Sequence, residues 1–319
     1  MSNFSTAVSS RFSGKRLLLR RRRKPRGWRN NFRNAILGYF LISPVVMLVV
    51  ALLGYPLYKT LKQSFYDVRP AVQANEFIGF RGFTELFADP LFATVLSNSL
   101  LWTILVVFFQ FMLGLAAALV LNAKFHGRWF FRILMVMPWA LPGIVVALMW
   151  RLILNPDFGS LQIVTNFLGL PIIDYLGQSS TALISIVFVA VWKGFAFWML
   201  IILAALQGVP KDQIEAAEVD GAGPIRTFFN IYIPNMISVL RIGFILTAIW
   251  TFNYFELVFV MTAGGPAGAS HTFPTIIYEQ AFRRLDFGLA SRFAFISILM
   301  MLILSIFLIR EVRRAHKHG

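Results

Sequence analysis

Six separated apolar blocks constrain this chain more than any other feature: residues 35–58, 94–121, 129–154, 182–206, 237–261 and 290–309. A hydrocarbon layer of about 30 Å needs roughly 20 helical residues, and each block meets that length. The blocks lack the alternation of a barrel strand, and only helices or closed barrels satisfy their backbone polar groups inside lipid. An all-α membrane protein of six transmembrane helices is therefore expected. Composition agrees, with 58% of the 319 residues hydrophobic and 14% charged, against about 25% charged in soluble domains. An ordinary soluble globular enzyme is excluded.

Charge sets the orientation. Eleven Lys and Arg fall within residues 1–35, among them Arg20, Arg21, Arg22, Arg23 and Lys24, with no acid between them. Six spans place both termini on one side. Segments 1–35, 122–132, 207–236 and 310–319 on that side hold 20 basic residues, and the opposite loops 59–93, 155–181 and 262–289 hold six. The positive-inside rule predicts N-in/C-in topology, with both ends cytoplasmic. The net charge of +16 needs no nucleic acid, because a polybasic flank before a first span meets anionic membrane lipid. A cleavable signal peptide is not expected, since no Ala-x-Ala pattern follows Tyr58. The expected organisation is a basic arm 1–34, a first helix 35–58, an external loop 59–93, a five-helix core 94–310 containing a cytoplasmic loop 207–236, and a basic tail 311–319. The absence of cysteine rules out disulfides.

Pro44, Pro56, Pro138 and Pro142 interrupt apolar segments. The strongest break runs from Met137 to Gly143; a kink beside a pathway and a re-entry turn both fit it. Few ionisable groups lie within the blocks. Arg151, Arg241 and Arg292 sit near block ends, where they can snorkel. Lys193 lies mid-block, where a charge costs roughly 2.5–3.5 kcal/mol on insertion scales, so it should face a partner or water. Glu256 is the acid available, and a Lys193–Glu256 pair is expected. Thr247, Thr251 and Tyr254 recur at i, i+4 and i+7 with Trp250 beside them. Hydroxyls next to an aromatic suit a sugar; hydrogen bonding between helices is the other use of such a stripe.

The loop 207–236 breaks the charge rule. Asp212, Glu215, Glu218 and Asp220 are four of the chain's 14 acids. Pro210 suits a first helical position, Asp212 complements the dipole, and Gly221 with Gly223-Pro224 stops the helix. Ile214, Ala217 and Gly221 make a small-residue face, and Lys211, Glu215 and Glu218 a charged one. Such a helix serves as a docking knob for a basic partner group or as a solvated surface helix.

The residues Glu215-Ala216-Ala217-x-x-Asp220-Gly221-Ala222, then Phe228 or Phe229, Ile231, Ile233 and Pro234, resemble the EAA loop of ABC-importer permeases. Leu203-x-Ala205-Leu206-Gln207-Gly208-Val209-Pro210 and Thr262-Ala263-Gly264-Gly265-Pro266 resemble the carbohydrate branch, in its maltose-F-like or glycerol-phosphate-permease-like half. The resemblance implies a type I ABC-importer permease fold in a bacterial or archaeal inner membrane. It implies as partners a second, G-like permease, two copies of a cytoplasmic ATPase and an extracytoplasmic solute-binding protein. It implies no cofactor on this chain, with ATP and Mg held by the ATPase. Glu215, Ala216, Ala217, Asp220, Gly221 and Ala222 would couple to that ATPase. By the same resemblance, Ala190, Gly194, Phe197, Thr247, Trp250, Thr251 and Tyr254 would line the sugar path. Phe197 departs from the maltose pattern, where a Tyr stands, and Thr251 and Tyr254 replace amides.

No Walker phosphate loop, Gly-x-Ser-x-Gly or His-Glu-x-x-His occurs, so no catalytic residue is expected here. His126, His271, His316 and His318 have no metal-ligand spacing and read as loop or tail histidines. The alternatives to an importer subunit are an ion-driven secondary carrier, built on Lys193 and Glu256, and a membrane scaffold that transports nothing.

Overall fold

The first apolar block lies on a continuous helical run of α1 (Trp28–Val49), a π-helical turn Val50–Gly54 and α2 (Tyr55–Gln63). Its widened turn lies directly ahead of Pro56, whose missing N–H and bulky ring disallow a regular α-helical bond. The Tyr55 N–H instead donates to Val50, five residues back. The structure, a computed structural model, describes residues 28–318; residues 1–27 of the expected basic arm lie outside them. The described residues divide into two units at Pro56, and the second carries every candidate site residue.

The segment 59–93, expected as a loop, is structured. Strands β1 (Tyr66–Arg69) and β2 (Ala74–Phe77) pair antiparallel, Tyr66 opposite Phe77, and α3 (Arg81–Ala88) follows. Asp89 then caps α4 (Pro90–Asn122), its Oδ1 accepting the Leu91 N–H at 2.8 Å with Pro90 in the first turn. Four-residue strands carry too little alternation to be read from sequence.

The third block does not form one helix. It divides into α5 (Arg128–Ala140) and α6 (Gly143–Ile153), bent by 95°. Pro142 drives residue 141 out of the helical region, and Leu141 is extended at φ −72°, ψ 141°. As a result α5 packs on helix 182–207 while α6 packs on helix 255–262. After α7 (Ser160–Phe167) come that first partner, α8 (Ala182–Gln207), and the loop helices α9 (Lys211–Val219) and α10 (Pro224–Thr227). A π-helical turn, Phe228–Tyr232, leads into α11 (Ile233–Phe252).

The fifth block is also broken. α11 stops at Phe252 and α12 begins two residues later (Phe255–Thr262), with Tyr254 extended between them. Asn253 Nδ2 donates to the Ile249 carbonyl at 2.9 Å, the side-chain competition that ends helices. The turn expected at Gly264-Gly265-Pro266 is present, with a cis Gly265–Pro266 bond. It leads to α13 (Phe273–Tyr278), a π-helical turn Glu279–Arg283 and α14 (Phe287–His318), so the expected tail continues a helix. Among the described residues five helical runs are long and apolar enough to cross a membrane, or six if the bent α5–α6 pair counts as one.

The α4–α8 pair forms the centre of the bundle. Gly114 lets the α4 backbone lie against Trp198 and the Met199 backbone, the close approach that small residues permit between membrane helices. One apolar cluster gathers Trp102, Val146, Ile186, Val189 and Leu257, and a second gathers Leu121, Trp198, Met199, Ile202 and Met236. Trp102 Nε1 donates to the Thr251 carbonyl at 2.8 Å, fastening α4 to the end of α11. Arg292 does not snorkel. The β1 strand packs on α14, and Arg292 lies buried with Nη1 donating to the Tyr66 carbonyl at 3.4 Å. Arg241 pairs with Glu311 at 3.6 Å, and Arg151 donates to the Val260 carbonyl at 3.3 Å.

Candidate functional site

Helical spacing brings the site residues of α8 onto one face: Ala190, Lys193, Gly194 and Phe197 fall at i, i+3, i+4 and i+7. Thr247, Trp250 and Thr251 do the same on α11. These two faces enclose a cavity of about 240 Å³, completed by Gln110 of α4, Trp139 of α5, and Tyr254 and Glu256 at the start of α12. All seven residues expected on the sugar path therefore line one space, together with Lys193 and Glu256. A larger hollow of about 350 Å³, between Arg151, Asp174 and Pro266, contains none of them.

The hydroxyl stripe differs from expectation in one respect. Tyr254 is not on the α11 helix, because the break at Asn253 removes it from that phase; the extended turn still delivers it to the cavity. Thr247 Oγ1 donates within its own helix, to Gly243 at 2.6 Å. Among the described residues the Thr251 and Tyr254 hydroxyls bond to no neighbouring helix. Phe197 and Trp250 form an aromatic wall, their ring centroids 5.1 Å apart and edge to face.

Two residues missed in the sequence, Gln110 and Trp139, complete the lining, and a third, Gly143, makes room behind it. Gln110 Nε2 donates to the Ala190 carbonyl at 2.9 Å, and its amide fills the room left by the missing side chain of Gly194. Trp139 contributes a second indole. Gly143, the first residue of α6, leaves the room in which the Glu256 carboxylate lies, with the Tyr254 hydroxyl 2.8 Å from the same position. No side chain caps α6, so its positive pole meets that carboxylate. Lys193 and Glu256 share the cavity but form no direct ion pair among the described residues.

The second candidate site is α9. It starts immediately after Pro210, one position later than expected, with Asp212 in its first turn. Gly221, at φ +72°, closes it: the Gly221 N–H donates to Glu218 at 3.0 Å and the Ala222 N–H to Ala217 at 2.9 Å. That is a Schellman stop, which favours glycine at the left-handed position. Glu215, Ala216, Glu218 and Asp220 are exposed, while Ile214 and Ala217 are half-buried. Ala217, Asp220 and Ala222 turn toward Arg226 and Thr227 across a hollow of about 170 Å³. Ala217 of the small-residue face thus turns inward, while Ala216, which lies off that face, is exposed. Gln213 Oε1 accepts from Asn235 Nδ2 at 2.8 Å, tying α9 to α11.

Residues 110–315 match the family described as binding-protein-dependent transport system inner membrane component. The chain belongs to this family. Its members are ABC transporter permease subunits rather than enzymes, and ATP hydrolysis resides in a partner. The trehalose/maltose transport system permease protein MalF of Thermococcus litoralis is 30% identical, covering 85% of this chain and 92% of its own length. The sulfoquinovosyl glycerol transport system permease protein SmoG of Agrobacterium fabrum is 31% identical, covering 87% and 91%. The sn-glycerol-3-phosphate transport system permease protein UgpA of Pectobacterium atrosepticum is 29% identical, covering 89% and 96%. In fold, the chain is similar to a permease in the crystal structure of a bacterial ABC transporter involved in the import of the acidic polysaccharide alginate. There the TM-score is 0.75 at 19% identity, covering 91% of this chain and 98% of the other.

Proposed function

We propose that this chain is the maltose-F-like permease subunit of an ATP-driven, binding-protein-dependent importer for a sugar, oligosaccharide or polyol. The observation that carries this reading is the convergence of Ala190, Gly194, Phe197, Thr247, Trp250, Thr251 and Tyr254 on one cavity. The Thr251 and Tyr254 hydroxyls offer hydrogen bonds to a polyhydroxylated solute, and Phe197 and Trp250 offer flat apolar faces. At about 240 Å³ the cavity falls below the roughly 300–1,000 Å³ of complete ligand pockets. Trp139 and Trp250 line it yet remain exposed, which suits a half-site completed by a second, G-like permease. Relatives named for trehalose/maltose, sulfoquinovosyl glycerol and sn-glycerol-3-phosphate support the solute class.

In this reading the fold is the type I permease of six spans in a bacterial or archaeal cytoplasmic membrane. The 1–34 arm, the 207–236 loop and the 311–319 tail face the cytoplasm, and 59–93 faces outward. Two copies of an ATPase bind ATP and Mg, and a solute-binding protein delivers cargo. The α9 loop, with Glu215, Ala216, Ala217, Asp220, Gly221 and Ala222, docks on one ATPase. Closure on ATP then favours one of two bundle states, by as much as the docked contacts differ between them.

Proteoliposomes containing this chain, its pair and the ATPase test the reading. Accumulation should require ATP on the ATPase side and survive collapse of ion gradients; accumulation driven by the gradient alone would identify a secondary carrier. Glu215→Lys should abolish solute-stimulated hydrolysis while leaving membrane insertion intact, since losing one member of an interfacial charge pair costs about 2–5 kcal/mol. Wild-type stimulation in that variant would remove the docking role.

A further inference from the structure

The cavity holds one cation and one carboxylate that do not pair directly. Lys193 is half-buried, midway along α8, and among the described residues it makes no hydrogen bond and no ion pair. An ammonium at such depth is costly and is retained where it meets a partner. The one acid in the lining is Glu256, which attracts Lys193 across the cavity without pairing with it. The Glu256 carboxylate lies in the room vacated by Gly143, against the uncapped first turn of α6. A helix start carries roughly half a positive charge, which offsets much of that carboxylate. The remaining polar lining, Gln110, Thr247, Thr251 and Tyr254, is uncharged.

From this arrangement we propose that Lys193 recognises a negatively charged group on the transported solute, so that the cargo is a polyhydroxylated molecule bearing a carboxylate, sulfonate or phosphate. The inference rests on the importer reading and narrows its substrate class. Helix α8 places Lys193 one turn from Ala190 and Phe197, and α11 presents the Thr251 hydroxyl across the same cavity. An acidic sugar would meet a cation with its acid group and free hydroxyls with its ring. An anion is favoured over a neutral sugar because a charge-assisted bond then replaces an unpartnered ammonium. Glu256 competes for the ammonium but makes no direct ion pair with it, so the position beside the ammonium is open to an acid group of the solute.

The test uses the complete importer in proteoliposomes, with ATP inside and four probes outside: glucuronate, sn-glycerol 3-phosphate, glucose and maltose. The wild type should accumulate an acidic probe in preference to the neutral ones. Lys193→Met should lower that uptake about ten- to hundredfold, the range for loss of one hydrogen bond to a charged group. Lys193→Arg should restore most of it, which a merely structural lysine would not require. Thermal melting of both variants separates loss of recognition from loss of fold. Accumulation of glucose or maltose over both acids, unchanged by Lys193→Met in a folded complex, would overturn the proposal and leave the importer reading intact. Uptake independent of ATP would instead overturn the importer reading.

Discussion

Glu256 and Gly143 share one space: the carboxylate of α12 lies where a side chain on the first residue of α6 would stand. Ala in place of Gly ordinarily favours a helix by about 1 kcal/mol. Here Gly143→Ala should destabilise, because the methyl group evicts a charge from its dipole partner. Thermal unfolding in detergent should show a lower midpoint for Gly143→Ala. Adding Glu256→Ala should recover part of the loss, with a coupling of about 0.5–3 kcal/mol. Strict additivity of the two changes would show that the shared space has no energetic content.

Gly194 makes a similar prediction at the opposite wall. A methyl group there meets the Gln110 amide and breaks its bond to the Ala190 carbonyl. Gly194→Ala should raise the apparent KM for solute with little change in protein level, and Gln110→Ala in the same chain should lower it again. Unaltered uptake kinetics in Gly194→Ala would mean that the amide moves freely.

The Gln213–Asn235 bond joins the loop helix to the bundle. A hydrogen bond of this kind contributes about 0.5–1.5 kcal/mol, too little to unfold the protein. Asn235→Leu should therefore leave basal ATP hydrolysis by the assembled importer in place and reduce its stimulation by solute severalfold. Equal loss of both rates would indicate failed assembly instead.

His271 lies in the loop ahead of α13, as expected, and is buried there, Nδ1 lying 3.2 Å from Thr275 Oγ1. Burial holds its imidazole below the usual 6.5; Glu279 opposes the shift, and Arg284 and Arg283 add to it. A depressed histidine binds fewer protons folded than unfolded. Its contribution to stability is therefore complete above pH about 6.5 and is lost as pH falls toward the folded value. Melting temperature should drop between pH about 7.5 and about 5 more in the wild type than in His271→Gln. Parallel curves would exclude His271 as the source.

The helices were legible because a run of apolar residues longer than a bilayer admits few other structures. Their breaks were less so. Met137 to Gly143 announced an interruption, but the 95° bend depends on which neighbours α5 and α6 find. The stop at Phe252 depends on one amide, Asn253, reaching a carbonyl. Spacing placed Thr247 and Thr251 on one face, whereas Tyr254 reaches the cavity through a turn that periodicity does not describe. Gln110 is an isolated amide midway along a 33-residue helix, without a pattern to mark it. Gly143 matters only because Glu256, far along the chain, comes to rest against it.

The bend after Ala140 has an evolutionary corollary. It installs the start of a helix inside the bundle, and the field found there is generated by peptide groups rather than by any ionisable side chain. No single codon change removes it without unwinding α6, and no swing in acidity discharges it. Side chains around Gly143 can therefore change while the source of that field, the backbone itself, stays in place.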